Sequence, residues 1–350
     1  MENEVLKENT LLGMGNPLLD ISATVEKDFL AKYDLKANDA ILADPEKHKT
    51  LYSELMDNFN AEYIAGGSVQ NALRVCQWLV EKPKATTFFG CVGVDQYSKI
   101  LHDKAVTDRV NAKYQYTDKE PSGTCAVLVT DHHRSLCANL GAANCFTIDH
   151  IRKPENKKLV DNAKFYYISG FFLTVSPPSI MEVAKVALAN DRPLIMNLSA
   201  PFICQFYKEP LMQVLPYVDV VFGNETEAET FAQEQDFGTK DIKEIALKIC
   251  KLPKQNEKRS RVVVLTQGVD PVILACEGNI KEFTVQALPA EQLVDTNGAG
   301  DAFAGGFLSQ YIEGKDLDVC VKCGLWAARQ IVQRNGCTFE GKATFDPSKE

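Results

Sequence analysis

The sequence has few of the features that mark a nucleic-acid-binding or membrane protein. Its formal net charge is −9 and its pI is near 5.3, so it lacks the basic surface that contacts with phosphate backbones require. No stretch approaches the ~20 apolar residues that span a bilayer, and the opening segment MENEVLKENT lacks the apolar core of an export signal. We therefore expect neither a nucleic acid nor a membrane among its partners.

The cysteines also lack the pattern of a disulfide framework or a zinc site. There are 11 of them, an odd number, and most lie in apolar surroundings such as FFGCVG, which is typical of small buried side chains in a reducing compartment. Cys320 and Cys323 form a CxxC, but in a helical pattern with no second pair. The basic run of residues 251–261 is more typical of a solvated loop than of a nuclear-targeting signal. We expect a cytoplasmic protein and leave a nuclear pool open.

Two common nucleotide-binding fingerprints are missing. The P-loop pattern GxxxxGK[ST] does not occur, and Gly13-Met14-Gly15 lacks the third glycine of the dinucleotide-binding GxGxxG. A P-loop NTPase and an NAD-dependent dehydrogenase are therefore disfavoured.

What the sequence does contain is an alternation of strands and helices. From about residue 140, runs such as FYYIS, LIMNL and RVVVLT alternate with helical segments, which predicts βαβ units around a parallel sheet. Residues 112–140 instead carry three strand-like runs, AKYQYT, TCAVLVT and SLCANL, separated by the turn signals EPSG and DHHR. We predict an antiparallel meander there, which is too small to bury itself and forms a lid over the larger body.

The predicted domains are discontinuous in the chain. Residues 1–19, 65–111 and 143–350 are expected to form a large α/β domain, and residues 20–64 and 112–142 a small lid domain. No repeat, low-complexity tract or long Pro/Gly/Ser linker separates them, so the lid is built from insertions. A body with a lid implies an active-site cleft between the two.

The segment LVDTNGAGDAFAGGF carries the strongest chemical signal. An apolar strand end runs through Asp295, Thr296 and Asn297 into small residues and then a helix. Free N–H groups at a helix start bind anions, such as a transferring phosphoryl group. Asp301 follows in the first turn, where it either complements the helix dipole or serves as a base for a hydroxyl proton. A carboxylate beside an anion is unfavourable unless cations share the site, which favours the second interpretation.

Two motifs resemble signatures of the ribokinase-like carbohydrate kinase family. DTNGAGDAF (295–303) resembles its C-terminal signature and AGGSVQNALRV (65–75) its N-terminal glycine-pair signature, in the expected order and separation. The resemblance implies an α/β fold with a central, mostly parallel sheet flanked by helices on both faces, and a small β-rich lid domain. It also implies an ATP-dependent phosphotransferase, in which the backbone of Gly298, Ala299 and Gly300 forms an anion hole and Asp301 is the catalytic base.

Longer segments resemble those family members that phosphorylate adenosine, among them GMGNPLLDISA (13–23), HRSLCANLGAAN (133–144) and FGNETEAE (222–229). This implies transfer of the γ-phosphoryl group of MgATP to the 5′-hydroxyl of adenosine, giving AMP and ADP, by a monomer. Arg134 matches a lid arginine that bridges phosphate oxygens. Asn224 and Glu227 match residues that hold Mg²⁺ through waters, although NETE by itself is typical of a helix cap.

By the same resemblance, body and lid both contribute to an adenosine site. Asp20 is expected to accept hydrogen bonds from two ribose hydroxyls. Apolar side chains are expected to contact the two faces of the adenine. Of the neighbours Phe171 and Phe172, we choose the first for the site and the second for the core. Ala40 stands where relatives carry a glutamine, so a hydrogen bond to the purine edge is expected to be missing. The predicted adenosine-binding residues are Asn16, Asp20, Leu42, Gly67, Ser68, Asn71, Cys125, Leu136, Ala138, Leu140, Phe171 and Asn297.

ATP is expected over the C-terminal part of the body. The predicted nucleotide-binding residues are Asn224, Thr266, Gly268, Asp295, Thr296, Trp326 and Ala327, with a place in the core as the alternative for Trp326. Two alternatives remain open. Another sugar or nucleoside kinase of this family would use the same anion hole, aspartate and Mg²⁺, although the lid run SLCANL is apolar for a free-sugar pocket. A catalytically silent nucleoside-binding protein would have no need of Asp301 as a base.

Overall fold

A computed structural model describes residues 6–37, 39–130 and 133–350. Within these ranges the chain forms fourteen strands, thirteen α-helices and four short 3-10 helices. The strands are β1 (Leu11–Met14), β2 (Leu18–Thr24), β3 (Ala40–Leu42), β4 (Glu62–Gly66), β5 (Thr86–Gly93), β6 (Asn111–Thr117), β7 (Thr124–Thr130), β8 (His133–Asn139), β9 (Phe165–Ser169), β10 (Leu194–Asn197), β11 (Val220–Asn224), β12 (Val262–Gln267), β13 (Asp270–Cys276) and β14 (Asn279–Phe283). The α-helices are α1 (Lys27–Lys32), α2 (Leu51–Asn58), α3 (Ser68–Leu79), α4 (Gln96–Thr107), α5 (Ile148–Arg152), α6 (Pro154–Asn162), α7 (Pro177–Ala189), α8 (Pro201–Phe206), α9 (Lys208–Val214), α10 (Glu225–Glu234), α11 (Ile242–Cys250), α12 (Ala299–Tyr311) and α13 (Leu317–Ile331). The 3-10 helices are Gly141–Cys145, Gly170–Thr174, Leu215–Tyr217 and Ala290–Gln292.

The larger sheet has nine strands in the order β14-β13-β12-β11-β10-β9-β1-β5-β6. All neighbours from β12 to β6 are parallel, and β13 and β14 extend one edge in antiparallel fashion. Met14 aligns with Phe89 of β5 and Ile168 of β9, so the carboxyl ends of these strands lie together. The prediction of a central, mostly parallel sheet is confirmed.

Alternate residues of the parallel strands feed two cores, one on each face of the larger sheet. On β5, Phe89 lies in the core that α7, α10 and α11 cover, whereas Phe88 lies in the core that α3, α12 and α13 cover. Successive side chains of a strand point to opposite faces, so a strand buried on both faces must be apolar throughout. This explains the continuous apolar run TTFFGCVG.

The smaller sheet has five strands in the order β3-β8-β7-β2-β4. Its outer face packs on α1 and α2 through residues such as Ile21, Ala126 and Cys137. The adjacent residues along the same strands, including Asp20 and Leu136, face the larger domain and line a cavity there. The second small sheet expected of the lid is therefore present, and the division of the chain into two domains stays a prediction.

One strand of the predicted meander does not belong to the smaller sheet. The run AKYQYT forms β6, which pairs in parallel with β5 of the larger sheet, with Gly90 opposite Tyr114. Helix α4 lies between the two strands and carries the chain back along the sheet, as a βαβ crossover requires. The meander was therefore wrong for this strand, while TCAVLVT and SLCANL do form the antiparallel pair β7 and β8. Residues 131 and 132 of the turn DHHR lie outside the described residues.

In the described part of the chain, no helix combines the length and the apolar character needed to cross a membrane.

Candidate active site

Helix α12 begins at a tight glycine turn. Gly298 has φ 77°, a left-handed conformation, and a Cβ there would lie 2.9 Å from Cβ of Cys337. The N–H of Ala299 donates to the carbonyl of Thr296 at 3.2 Å, which closes the turn. Because the first N–H groups of a helix have no acceptors within the helix, this turn presents donors and a positive dipole end to an anion.

Asp301 lies in the first turn of α12 and is held from the start of α3. Its Oδ1 accepts a hydrogen bond from Ser68 Oγ at 2.7 Å, and its Oδ2 accepts one from Asn71 Nδ2 at 3.1 Å. Burial raises the pKa of Asp301 to about 6, and these two hydrogen bonds oppose the increase because they favour the carboxylate. Both donors are oriented by the turn at Gly67, where φ is 93° and a Cβ would meet the carbonyl oxygen of Asn16 at 2.3 Å.

A cavity of about 240 Å³ lies between the two sheets and ends at Asp301. We call it the smaller cavity. The strands of the smaller sheet contribute mostly apolar side chains and Asp20, and the other side of the cavity is formed by segments that follow strands of the larger sheet and by the starts of α3 and α12. All predicted adenosine-binding residues line it: Asn16, Asp20, Leu42, Gly67, Ser68, Asn71, Cys125, Leu136, Ala138, Leu140, Phe171 and Asn297.

Two polar groups of the smaller cavity are poised to bind a ligand. Burial, and next the charge of Asp301, raise the pKa of Asp20 to about 7, and Asn297 Nδ2 donates to Asp20 Oδ2 at 3.5 Å. The side-chain oxygen of Asn16 is buried and has no hydrogen-bond partner within the described residues. A buried acceptor without a donor is costly, so a ligand that donates a hydrogen bond here stabilises the site.

A second cavity, of about 570 Å³, lies on the other side of the turn; we call it the larger cavity. Of the predicted nucleotide-binding residues, Thr266, Gly268 and Thr296 line it, together with Ala299 and Gly300 of the turn. Gly300 lines both cavities. The two cavities therefore meet at the start of α12, beside Asp301.

Trp326 and Ala327 do not line the larger cavity. Helix α13 instead presents Leu325, Ala328 and Arg329 to it. Trp326 is buried in a separate apolar cluster, with its ring stacked 5.4 Å from that of Trp78. The expectation for Trp326 and Ala327 is thus corrected to the adjacent positions. The sequence pattern indicated a helix but not which of its faces meets the cavity.

Asp295 and Arg134 form a buried ion pair between loop and lid. Arg134 Nε lies 2.7 Å from Asp295 Oδ1, and its Nη2 donates to the carbonyl of Val294 at 2.7 Å. Asp295 also accepts hydrogen bonds from the N–H groups of Asn297 and Gly336. Neither Asp295 nor Arg134 lines a cavity. Asp295, which was expected at the nucleotide, instead holds the loop that leads into the glycine turn, through the N–H of Asn297. The contact of Arg134 with phosphate stays a prediction.

Asn224 and Glu227 form a capping box at the start of α10. The N–H of Glu227 donates to Asn224 Oδ1 at 2.8 Å, and the N–H of Asn224 donates to Glu227 Oε2 at 3.0 Å. Glu227 lines the smaller cavity, and burial raises its pKa to about 7. Asn224 lines neither cavity, and its side-chain oxygen accepts the hydrogen bond of the cap. Of the expected pair, only Glu227 reaches the site.

Most of the sequence matches a known protein family. The model of the pfkB family carbohydrate kinases matches residues 27–343. The chain belongs to the pfkB family of carbohydrate kinases. Both glycine turns of the site, at Gly67 and at Gly298, fall within the matched residues. The family assignment confirms the resemblance and, with it, the expectation of an ATP-dependent phosphotransferase.

Relatives within the pfkB family extend over nearly the full chain. Adenosine kinase 2 of Arabidopsis thaliana is 52% identical over 97% of this chain and 98% of its own. Adenosine kinase of Anopheles gambiae, solved in complex with P1,P4-di(adenosine-5) tetraphosphate, is 57% identical with a TM-score of 0.95, covering 97% of this chain and 100% of that one. Adenosine kinase of Schistosoma mansoni in complex with 2-fluoroadenosine is 35% identical with a TM-score of 0.93, covering 96% of this chain and 98% of that one.

Several residues of this pfkB-family site were not singled out from the sequence. The sequence pattern could have identified Asn197 as a site residue, because it ends the parallel strand β10 and ligands bind at the carboxyl ends of such strands. Phe202 lies 6.0 Å from the ring of Phe171, and no periodicity pointed to it. The additional residues of the smaller cavity are Leu18, Ile41, Ser169, Thr174, Asn197, Ser199 and Phe202.

Proposed function

We propose that this protein is an adenosine kinase, which transfers the γ-phosphoryl group of ATP to the 5′-hydroxyl of adenosine and so forms AMP and ADP. The observation that carries the proposal is the meeting of two cavities at one carboxylate. The smaller cavity suits a nucleoside and the larger one a nucleotide, and Gly300 and Asp301 lie where the two reactants would touch. The names of the relatives support adenosine as the acceptor.

Asp301 is the catalytic base in this proposal. The 5′-hydroxyl oxygen attacks the γ-phosphorus, its proton passes to the Asp301 carboxylate, and the bond from the γ-phosphorus to the bridging oxygen breaks to release ADP. The carboxylate must be ionised to act, and the hydrogen bonds from Ser68 and Asn71 favour that form. The same two hydrogen bonds orient the carboxylate, which matters because phosphoryl transfer depends mainly on alignment.

The backbone at Gly298, Ala299 and Gly300 stabilises the charge of the transferring group. N–H donors at a helix start are already oriented before the reaction, so they need no rearrangement as charge develops. Arg134 supplies a cation from the lid once it exchanges part of its contact with Asp295 for the phosphates. Asp295 itself holds the turn in place through the N–H of Asn297.

Adenosine binds in the smaller cavity with its ribose toward Asp20. Two ribose hydroxyls donate to the two oxygens of Asp20, and the unpaired Asn16 oxygen accepts a further hydrogen bond. Leu136 and Ala138 of the lid and Phe171 of the body bury the adenine faces. Ala40 also lines this cavity, and its methyl group offers no hydrogen bond to the purine edge.

Glu227 is the residue that would hold Mg²⁺. No cluster of three or more His, Cys, Asp or Glu side chains is placed to bind a metal within residues 6–37, 39–130 and 133–350. A single buried carboxylate still fits Mg²⁺, which keeps most of its waters and shares substrate phosphates. When bound with ATP, the ion neutralises charge on the phosphates. Asn224 contributes by fixing Glu227 through the capping box.

We place the reaction in purine salvage, in the cytoplasm and in a monomer. AMP formation returns a free nucleoside to the nucleotide pool. Eleven free cysteines, most of them buried, suit a reducing compartment.

The test is phosphoryl transfer from γ-labelled ATP with Mg²⁺, offering adenosine, inosine, ribose and fructose in parallel to the wild type and to Asp301→Ala. We expect AMP to form selectively and the rate to fall by about three orders of magnitude or more in the variant. Transfer to free sugars would make the protein a sugar kinase of the same family. No transfer to any acceptor would make it a binding protein.

A further inference from the structure

Arg74 is one of the two arginines in the fully buried part of the described core, and it lies one turn along α3 from Asn71. Its side chain is completely shielded from solvent. Nε forms an ion pair with Asp108 Oδ2 at 2.6 Å, and Nη1 donates to Asn71 Oδ1 at 3.1 Å and to the carbonyl of Ala65 at 3.1 Å. Arg74 therefore contacts the residue that contacts the proposed base.

The Asn71 amide can be placed in two orientations, and only one supports Asp301. In the observed orientation the amide oxygen faces Arg74, and the amide nitrogen faces the carboxylate of Asp301. After a half-turn, the oxygen would face the carboxylate and the NH₂ would face the guanidinium, so both contacts would be repulsive. The guanidinium has donors only, and it thus fixes which end of the amide points at Asp301.

The ion pair keeps the guanidinium in place. Asp108 ends α4 and also lies 3.1 Å from Lys104 Nζ. The Asp108 side chain is almost fully buried, so its attraction to Arg74 is little screened by solvent. The contact with Ala65 also ties Arg74 to the end of β4, just before the Gly66-Gly67 turn.

We propose that Arg74 is a positioning residue for phosphoryl transfer, which acts on Asp301 through the amide orientation of Asn71. The chain of contacts runs from Asp108 through Arg74 and Asn71 to the Asp301 carboxylate. Arg74 lines neither the smaller nor the larger cavity. The inference rests on the role of Asp301 proposed above, and it adds a residue that the substrates do not contact.

Other titratable groups also act on Asp301. Asp20 of β2, Glu227 of α10, Tyr167 of β9 and Cys337 after α13 are electrostatically coupled to it. Against the effect of burial, the charge of Arg74 also lowers the pKa of Asp20 and that of Cys337, so the double variant with Asn71→Ala is needed to separate this direct effect from the one that passes through Asn71.

The experiment is a pH profile of kcat/KM for AMP formation in Arg74→Met, Asn71→Ala and the double variant. We expect Arg74→Met to move the acidic limb of this profile to a pH about one unit higher. The size of the shift corresponds to the loss of the hydrogen bond from Asn71 to the Asp301 carboxylate. Asn71→Ala should move it by a similar amount, and the double variant no further than Asn71→Ala alone.

Arg261→Met is the matched control. Arg261 is the other fully buried arginine, and it donates to the carbonyls of Leu215, Val218 and Ile249, none of which lines a cavity. This variant should lower the thermal midpoint without moving the pH profile.

Two results would overturn the inference: shifts that add up in the double variant, or an unmoved profile in an Arg74→Met protein that merely melts earlier, as Arg261→Met does. If Arg74→Met does not fold, Arg74→Lys replaces it, with a shift in the same direction expected because one ammonium does not reproduce the fork. A wild-type protein that forms no AMP refutes the proposed function instead.

Discussion

The two cavities differ in which parts of the chain build them. The smaller cavity is lined from both sheets, by residues as far apart in sequence as Asn16 and Asp301. The larger cavity is lined entirely by residues between Thr266 and Glu350. The smaller cavity therefore depends on how the two sheets meet, whereas the larger one forms within a single C-terminal segment. Changes at the lid should affect the first and leave the second intact.

The charges of the two cavities also differ. The smaller one holds three carboxyl groups whose pKa values burial raises to about 6 or 7, those of Asp20, Glu227 and Asp301. The larger one holds Lys322 and Arg329, both hydrogen-bonded to Glu350. Substrate binding in the first is thus expected to depend on pH, and in the second on displacing an internal carboxylate.

Apart from the loss of Asp301 itself, the largest effect should come from the glycine turn that the two cavities share. Gly298→Val adds a branched side chain at φ 77° and forces the turn away from Cys337, so we expect kcat to fall about 10²- to 10³-fold as the N–H donors lose alignment. Gly278→Val is the control, because Gly278 has the same φ of 77° but no neighbouring atom within 4 Å of its Cβ position. Equal losses of kcat in both variants would mean that backbone strain alone, and not the anion hole, explains the effect.

Asp20→Asn should weaken binding in the smaller cavity and leave binding in the larger one unchanged. The amide accepts one fewer hydroxyl hydrogen bond than the carboxylate, so we expect KM for adenosine to rise about 10- to 100-fold while KM for ATP stays within about twofold. Steady-state kinetics with each substrate varied in turn measure both. Asp219→Asn, a buried aspartate that pairs with Lys254 and lines no cavity, is the control. A parallel rise of the two KM values would contradict the separation.

The pH dependence should distinguish the cavities in the same way. Burial raises the pKa of Asp301 to about 6, and the base acts only as the carboxylate. Its ionised fraction is therefore lost as the pH falls through this value, and kcat/KM for ATP at saturating adenosine should fall about tenfold for each further pH unit. Adenosine binding should already weaken below about 7, the raised pKa of Asp20.

Titrating the KM values of both substrates between neutral and acidic pH measures this. The step near the pKa of Asp20 should disappear in Asp20→Asn, while the limb of kcat/KM that reports Asp301 remains. An acidic limb at the ordinary pKa of an exposed aspartate would be inconsistent with a buried base.

The smallest effect is expected at the edge of the larger cavity. Glu350 bonds Arg329 and Lys322 and lines the cavity. Glu350→Gln weakens the ion pair with Arg329 and leaves the hydrogen bond from Lys322 to the main-chain oxygen unchanged, so we expect KM for ATP to fall about two- to fivefold, in line with the modest strength of partly exposed ion pairs. Glu340→Gln, at an exposed glutamate paired with Arg334, should change nothing. An unchanged KM in Glu350→Gln would show that this contact does not compete with the nucleotide.

The sequence predicted local features better than packing. It indicated α13 as a helix, but Trp326 was assigned to the nucleotide although it stacks on Trp78. Which face of a helix meets a cavity depends on neighbours distant in sequence, here Trp78 and Phe345. The sequence predicted β6 as a strand but placed it in the wrong sheet. Its pairing with β5 results from the crossover through α4, which the residues of the strand itself do not indicate.

The sequence by itself determined the alternating α/β architecture, the two glycine turns and the carboxylate that follows the second. These features depend on short-range rules, namely strand and helix periodicity, the left-handed backbone of glycine, and the free N–H groups of a helix start. Only the tertiary structure decided that Asp301 is held by Ser68 and Asn71, that Arg74 holds Asn71, and that Arg134 is paired with Asp295. Apart from the contact between Arg74 and Asn71 within α3, these contacts join residues more than 150 positions apart. They therefore depend on how the sheets and helices pack against one another.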